Sequence, residues 1–111
     1  RELARDFPRY ADEIADVLDR IVDLMIPFRR RWYYLPAFNE SASLKSVLPV
    51  LIPELSYQDL EIQEGGLASL IYSQLKLHEP EEQNQHRQHL LDYCRRDTLA
   101  MVEIYKLLRN I

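Results

Sequence analysis

Tyr93 and Asp97 are the residues of this chain whose types and spacing could do chemistry. In a helix they stand one turn apart, about 5 to 6 Å at Cβ, so phenol and carboxylate project to one place. Around them runs Tyr93-Cys94-Arg95-Arg96-Asp97, in a stretch from Glu81 to Ile111 without proline or glycine. Apolar residues recur there at helical spacing, which predicts one long helix. One stripe is Leu91, Cys94, Thr98, Val102, Tyr105 and Leu108; its neighbour is Leu90, Tyr93, Asp97, Met101, Ile104 and Leu108. So wide an apolar arc predicts a buried helix. Asp97 interrupts it where an aliphatic residue is expected, and a carboxylate facing a core needs a partner, a proton or a metal ion. The plain alternative is a buried Asp hydrogen-bonded to a neighbouring group.

The elements that must position this pair lie upstream. Leu3, Phe7, Tyr10, Ile14, Val17 or Leu18, and Ile21 keep a seven-residue rhythm, predicting an amphipathic helix that becomes regular near Pro8 with Asp6 or Phe7 at its start. Ile21 to Met25 could form a short strand, with Asp23 a turn or cap residue. Phe28-Arg29-Arg30-Arg31-Trp32-Tyr33-Tyr34, between Pro27 and Pro36, predicts a loop or irregular strand. Its interleaved charges and rings would suit nucleic acid, with Arg29, Arg30 and Arg31 as candidate contacts. The plainer reading is an aromatic loop whose arginines neutralise nearby acids. Asn39, Ser41 and Ser43 are all helix-start residues, and Leu44, Val47, Leu48 and Leu51 after them predict a short helix in which Pro49 must make a kink or fall in the first turn, with the start then nearer Ser46. Lys45 on it could reach a phosphate or simply be solvated.

Tyr57 to Gln63 is ambiguous between a helical turn and an extended piece. Gly65-Gly66 permits a change of direction before a helix bearing Leu67, Leu70, Ile71 and Leu75. Pro80 then fits the first position of the last helix. His86 and His89 share a face but lack a Cys or carboxylate in register, so a surface pair is expected.

The order Ser43-Leu44-Lys45 followed by Tyr93-x-x-x-Asp97 resembles the C-terminal half of DnaQ-like 3′ to 5′ exonucleases of the ribonuclease H-like fold. The phrase from Arg20-Ile21-Val22-Asp23-Leu24-Met25 onward looks closer still to bacterial domains of unknown function found in RecB-type nuclease chains. By this resemblance Asp97 would help hold a pair of divalent cations, Mg²⁺ or Mn²⁺, and Tyr93 would orient the attacking water. Hard oxygen ligands suit such ions, and two cations can clamp the attacking and leaving oxygens of a phosphodiester. Only the third motif of that family is present. Asp59-Leu60-Glu61 is an Asp-x-Glu in the wrong order and reads as a solvated turn.

The expectation is therefore a mostly α fold of about four helices with at most one or two short strands. Residues 1–111 would be a single partial domain from a ribonuclease H-like α/β fold, starting at Arg1 as a piece of something longer. The parent would hydrolyse nucleic acid; this piece would bind no metal alone and would self-associate through an exposed apolar face. The competing class is a non-catalytic helical scaffold or protein-interaction module.

Composition bounds these readings. A chain of 111 residues with 47% hydrophobic content can hold a core. Its net charge of −4 argues against a generally cationic nucleic-acid binder. The single Cys94 forms no intrachain disulfide, is expected on a buried stripe as core filler, and fits a cytoplasmic protein. No apolar run approaches a membrane span.

Overall fold

Proline placement explains much of the chain's segmentation. Of six prolines, five open an element, where the missing N–H would have had no helical partner. Pro8, Pro36 and Pro53 each start a single 3₁₀ turn, at Pro8–Tyr10, Pro36–Phe38 and Pro53–Leu55. A computed structural model describes all residues, 1–111, as six α-helices and no strand. They are α1 (Glu2–Asp6), α2 (Ala11–Arg20), α3 (Ile26–Arg29), α4 (Leu44–Leu51), α5 (Gly65–Gln74) and α6 (Pro80–Arg109).

The mostly helical fold is as expected, and the two short extra helices have local causes. The N-terminal amphipathic stretch breaks at Phe7, which leaves helical geometry at φ −129° and ψ 70° ahead of Pro8. Residue 7 precedes a proline and is driven out of the α region by the ring. Ile21 to Met25 forms no strand, having no second strand to pair with; Asp23 Oδ1 instead accepts from the Met25 N–H at 2.9 Å, the cap role foreseen for it. Pro27 does not bound a loop but sits in the first turn of α3. The irregular loop expected from Phe28 thus begins only after Arg29.

Pro49 lies inside α4, not in its first turn. It removes the bond to the carbonyl of Lys45, four residues back, and both residues are exposed, so water can serve that carbonyl. Gly65 and Gly66 begin α5 rather than precede it. The helix tightens into a 3₁₀ turn at Leu75–Leu77 before His78 turns the chain into α6.

The core is small and lies where α4, the Tyr57 turn and the last third of α6 meet. Phe28, Phe38, Val47, Leu48, Tyr57, Ala100 and Ile104 form one buried cluster. Phe28 meets Phe38 and Tyr33 edge to face, with ring centroids 5.8 and 6.1 Å apart, the arrangement aromatic quadrupoles favour. No hydrophobic side chain before Phe28 belongs to or packs against that cluster; α1 and α2 pack on each other and on the turn between them. The molecule is accordingly flat, 47 × 41 × 21 Å, with a radius of gyration of 17.3 Å. A compact chain of this length would have about 13 Å.

Alpha6 is buried on one side only, which corrects the two-stripe expectation. Ile104 and the neighbouring Ala100 are fully buried, whereas Met101 of the same stripe and Leu91, Val102 and Tyr105 of the other are exposed. Cys94 is exposed with them, so it is not core filler. Hydrophobic periodicity showed how wide the apolar arc is, but α4 and α5 cover only part of it. No helix is long and apolar enough to cross a membrane.

Candidate functional site

Asp97 is half-buried near the middle of α6, one turn after Tyr93, and its Oδ1 accepts a hydrogen bond from the hydroxyl of Tyr57. This partner comes from the turn between α4 and α5, forty residues earlier in the chain. The requirement that an inward carboxylate find a partner is met by a neutral phenol. The rings of Tyr57 and Tyr93 lie 5.7 Å apart at a tilt of 40°, so two phenols and one carboxylate form a single group. The Tyr93 hydroxyl points to the start of α5, where a methyl placed on Gly65 would lie 3.5 Å away. That is ordinary contact, so the glycine is not needed to make room for the ring.

Both phenols hold their protons more tightly than free tyrosine. Burial raises the Tyr57 value most, followed by its bond to Asp97 and the charge of that carboxylate. Tyr93 is raised chiefly by burial and then by the Asp97 charge, with a smaller push from Glu64. The two hydroxyls are therefore neutral donors at physiological pH, suited to orient a water or polar oxygen rather than to attack as phenolates.

Arg96, the residue before Asp97, points to another side of α6 and fixes the same turn. Its Nη1 donates to the Ser56 carbonyl at 2.5 Å, and its two Nη atoms reach the Asp59 carboxylate at 2.8 and 2.9 Å. A planar guanidinium matches a carboxylate in this two-pronged way. Arg96 is 17% exposed and Asp59 66%, so one end of the pair is sheltered and the other solvated. The guanidinium holds the Asp59 carboxyl below its ordinary range. Asp59 does lie in a solvated turn, as its sequence context suggested, but that turn is tied to α6 at Ser56, Tyr57 and Asp59.

Lys45, in the first turn of α4, pairs with Glu64 at 3.2 Å, and Glu64 immediately precedes α5. The two sit at the edge of an open depression of about 500 Å³ whose lining includes Lys45, Pro49, Tyr57, Glu61, Glu64 and Leu67. The start of the Ser-Leu-Lys helix and the Tyr-x-x-x-Asp helix are thus joined through Tyr57, which lines the depression and bonds to Asp97.

The three arginines lie elsewhere, at the end of α3, and none bonds to Tyr57, Tyr93 or Asp97. Arg29 faces Asp23 and Arg31 faces Glu40, each at 3.8 Å. Arg30 lies over the Trp32 ring at 5.4 Å and Arg31 over Tyr34 at 5.1 Å. His86 and His89 are joined by a residue that local spacing did not bring in. The His78 ring lies 4.6 Å from that of His86 and bonds Glu82 at 3.1 Å, while His86 and His89 are 6.4 Å apart.

As a metal site the residues present do not fit. Asp97 is the lone carboxylate of its group and already accepts a hydrogen bond from the Tyr57 hydroxyl, Glu64 is engaged by Lys45, and no three His, Cys, Asp or Glu side chains are placed to hold an ion. Sequence reasoning missed Tyr57 and Arg96. Tyr57 is far from Asp97 along the chain and no local period links them, although a tyrosine amid polar residues was a signal that its hydroxyl needs a partner.

Comparison with known proteins bears on the other end of the chain. A family model described as a domain of unknown function, DUF2779, matches residues 1–43. The match includes the arginine-aromatic turn and stops before Lys45, Tyr93 and Asp97. No curated protein and no solved structure matches.

Proposed function

We propose that this chain is the helical C-terminal part of a nuclease domain of the DnaQ-like, ribonuclease H-like kind, contributing Tyr93 and Asp97 to hydrolysis of nucleic-acid phosphodiester bonds from a 3′ end. One observation carries the proposal: Lys45 and Tyr57, from separate segments, line one open depression, and Tyr57 in turn bonds Asp97 and packs beside Tyr93 on α6. Neither composition nor core packing requires Lys45 and Tyr57 to line the same depression.

In this reading the protonated Tyr93 hydroxyl orients a water, and Asp97, held by Tyr57, keeps its second oxygen for a further polar partner. The resemblance gives Asp97 a share in holding Mg²⁺ or Mn²⁺. That share needs companion carboxylates that these residues do not bring to it, so no hydrolytic step is assigned to the 111 residues alone. The matched domain of unknown function is compatible with a nuclease chain without specifying an activity.

A second reading has its own observation. Tyr57 and Arg96 together pin the Ser56–Asp59 turn to α6, and that could be the whole purpose of Asp97 in a non-catalytic helical module. Digestion of 3′-recessed and single-stranded substrates separates the two, using the full-length protein that carries these residues. The nuclease reading expects shortening from the 3′ end that requires Mn²⁺ and is abolished by chelation. It also expects Tyr93→Phe to slow digestion about tenfold or more without altering the melting temperature by more than a few degrees. Intact substrates in every metal tested would favour the structural module.

A further inference from the structure

Trp32 is the chain's single tryptophan, and it stands 67% exposed on a short turn. The backbone puts it there. After α3 the Arg31 N–H donates to the Phe28 carbonyl at 3.1 Å and the Trp32 N–H to the Pro27 carbonyl at 2.8 Å. Between these bonds Arg31 takes a left-handed conformation at φ 56°. This is the paired-bond ending that helices normally close with glycine. Its consequence is to send consecutive rings opposite ways: Tyr33 turns in against Phe28 and Phe38, and Trp32 turns out.

The charges around the turn are sorted as well. Arg29 and Arg31 face the acids Asp23 and Glu40, whereas Arg30 faces no carboxylate and lies against Trp32. Arg31 lies similarly against Tyr34. Two arginine–ring pairs therefore stand on one turn, anchored from beneath by Phe28 and Phe38. An exposed indole beside a guanidinium without an acidic partner offers a flat apolar face together with a positive charge. A protein partner could use the ring, but it would have no particular use for the second pair. A single nucleic-acid strand presents base faces and phosphates in alternation and fits both pairs.

We propose that the Arg30–Trp32 and Arg31–Tyr34 pairs form a stacking platform for unpaired nucleotides, Trp32 taking a base face and Arg30 a phosphate. The proposal rests on the nucleic-acid reading above and adds to it a contact surface separate from the Tyr93–Asp97 group. Sequence preference should be weak, since every base has a stacking face.

Because Trp32 is the only indole, intrinsic fluorescence reports on this turn directly. Titration with a short oligodeoxythymidylate at low salt should quench the emission saturably, and binding should weaken as salt is raised. By anisotropy of a labelled oligonucleotide, Trp32→Ala should weaken binding about tenfold to a hundredfold, while Trp32→Phe retains most of it. Arg30→Ala should weaken binding and flatten the salt dependence, with circular dichroism unchanged.

Absence of quenching at millimolar oligonucleotide would overturn the proposal, as would equal affinity for base-free polyphosphate or indifference to Trp32→Ala. A blue shift of the emission with protein concentration alone would assign the ring to a protein contact and overturn it too. Binding without hydrolysis would leave the platform standing and remove the nuclease reading, and hydrolysis without Trp32-dependent binding would do the reverse.

Discussion

Replacing Tyr57 by phenylalanine isolates the bond on which the position of Asp97 depends. The ring belongs to the buried cluster and is retained in phenylalanine, so no core volume is lost. What disappears is a hydroxyl donating to a carboxylate, an interaction of about 1.5–3 kcal/mol where both groups are sheltered. Asp97 is only half-buried and water can replace part of the bond, which lowers the expected loss to about 1–2 kcal/mol. At roughly 2 cal/mol/K of unfolding entropy per residue, each kcal/mol shifts the melting temperature of a chain this long by about 4 °C, so the drop should be roughly 4–9 °C. Thermal unfolding followed by circular dichroism reads this, and a cycle with Asp97→Ala separates the pair from its surroundings. The two single losses added together should exceed the loss in the double variant by about 1 kcal/mol or more. An unchanged or raised melting temperature for Tyr57→Phe would refute the view that this phenol holds Asp97 in place.

Three further expectations follow from named groups. Since Tyr57 and Tyr93 keep their protons above the ordinary phenol range, the folded state binds more protons than the unfolded state once the pH exceeds about 10. Their contribution to stability is complete below that pH and is lost as pH rises through the raised values. Phenolate absorbance should accordingly show a late-ionising component from Tyr57 and Tyr93 that shrinks in Tyr57→Phe; a titration unaltered by Tyr57→Phe beyond the loss of one ordinary phenol would contradict this. Arg31→Gly should raise stability by about 0.5–1 kcal/mol by relieving the left-handed residue that closes α3, and a fall in melting temperature would contradict the helix-ending geometry. The exposed stripe of Leu91, Val102 and Tyr105, with the apolar residues of α1 and α2, should make sedimentation concentration-dependent; a strict monomer at high concentration would count against it.

Local signals were readable wherever one residue decides the outcome. Pro80 opened α6, Asp23 capped a turn, and the helical period of α6 ran from its start to Arg109. What stayed hidden depends on which neighbours exist. The same apolar period describes a helix covered on two sides or on one, so Cys94 was misplaced while Ile104 was not. The candidate site divides the same way. Tyr93 and Asp97 could be paired from helical spacing, but the Tyr57 bond and the Arg96 clamp join segments about forty residues apart and follow from no local pattern. Lys45 was singled out from the motif resemblance, whereas its carboxylate partner Glu64 came only from the structure.

The most direct measurement pairs activity and stability in one variant, Asp97→Asn. Asparagine keeps an oxygen that can accept from Tyr57 and removes only the charge, so melting should change by no more than a few degrees. If Asp97 serves phosphodiester hydrolysis, Mn²⁺-dependent digestion by the full-length protein should fall about a hundredfold or more in the variant. Full activity in Asp97→Asn, or an unfolded variant, would contradict the claim that this carboxylate is turned inward for chemistry.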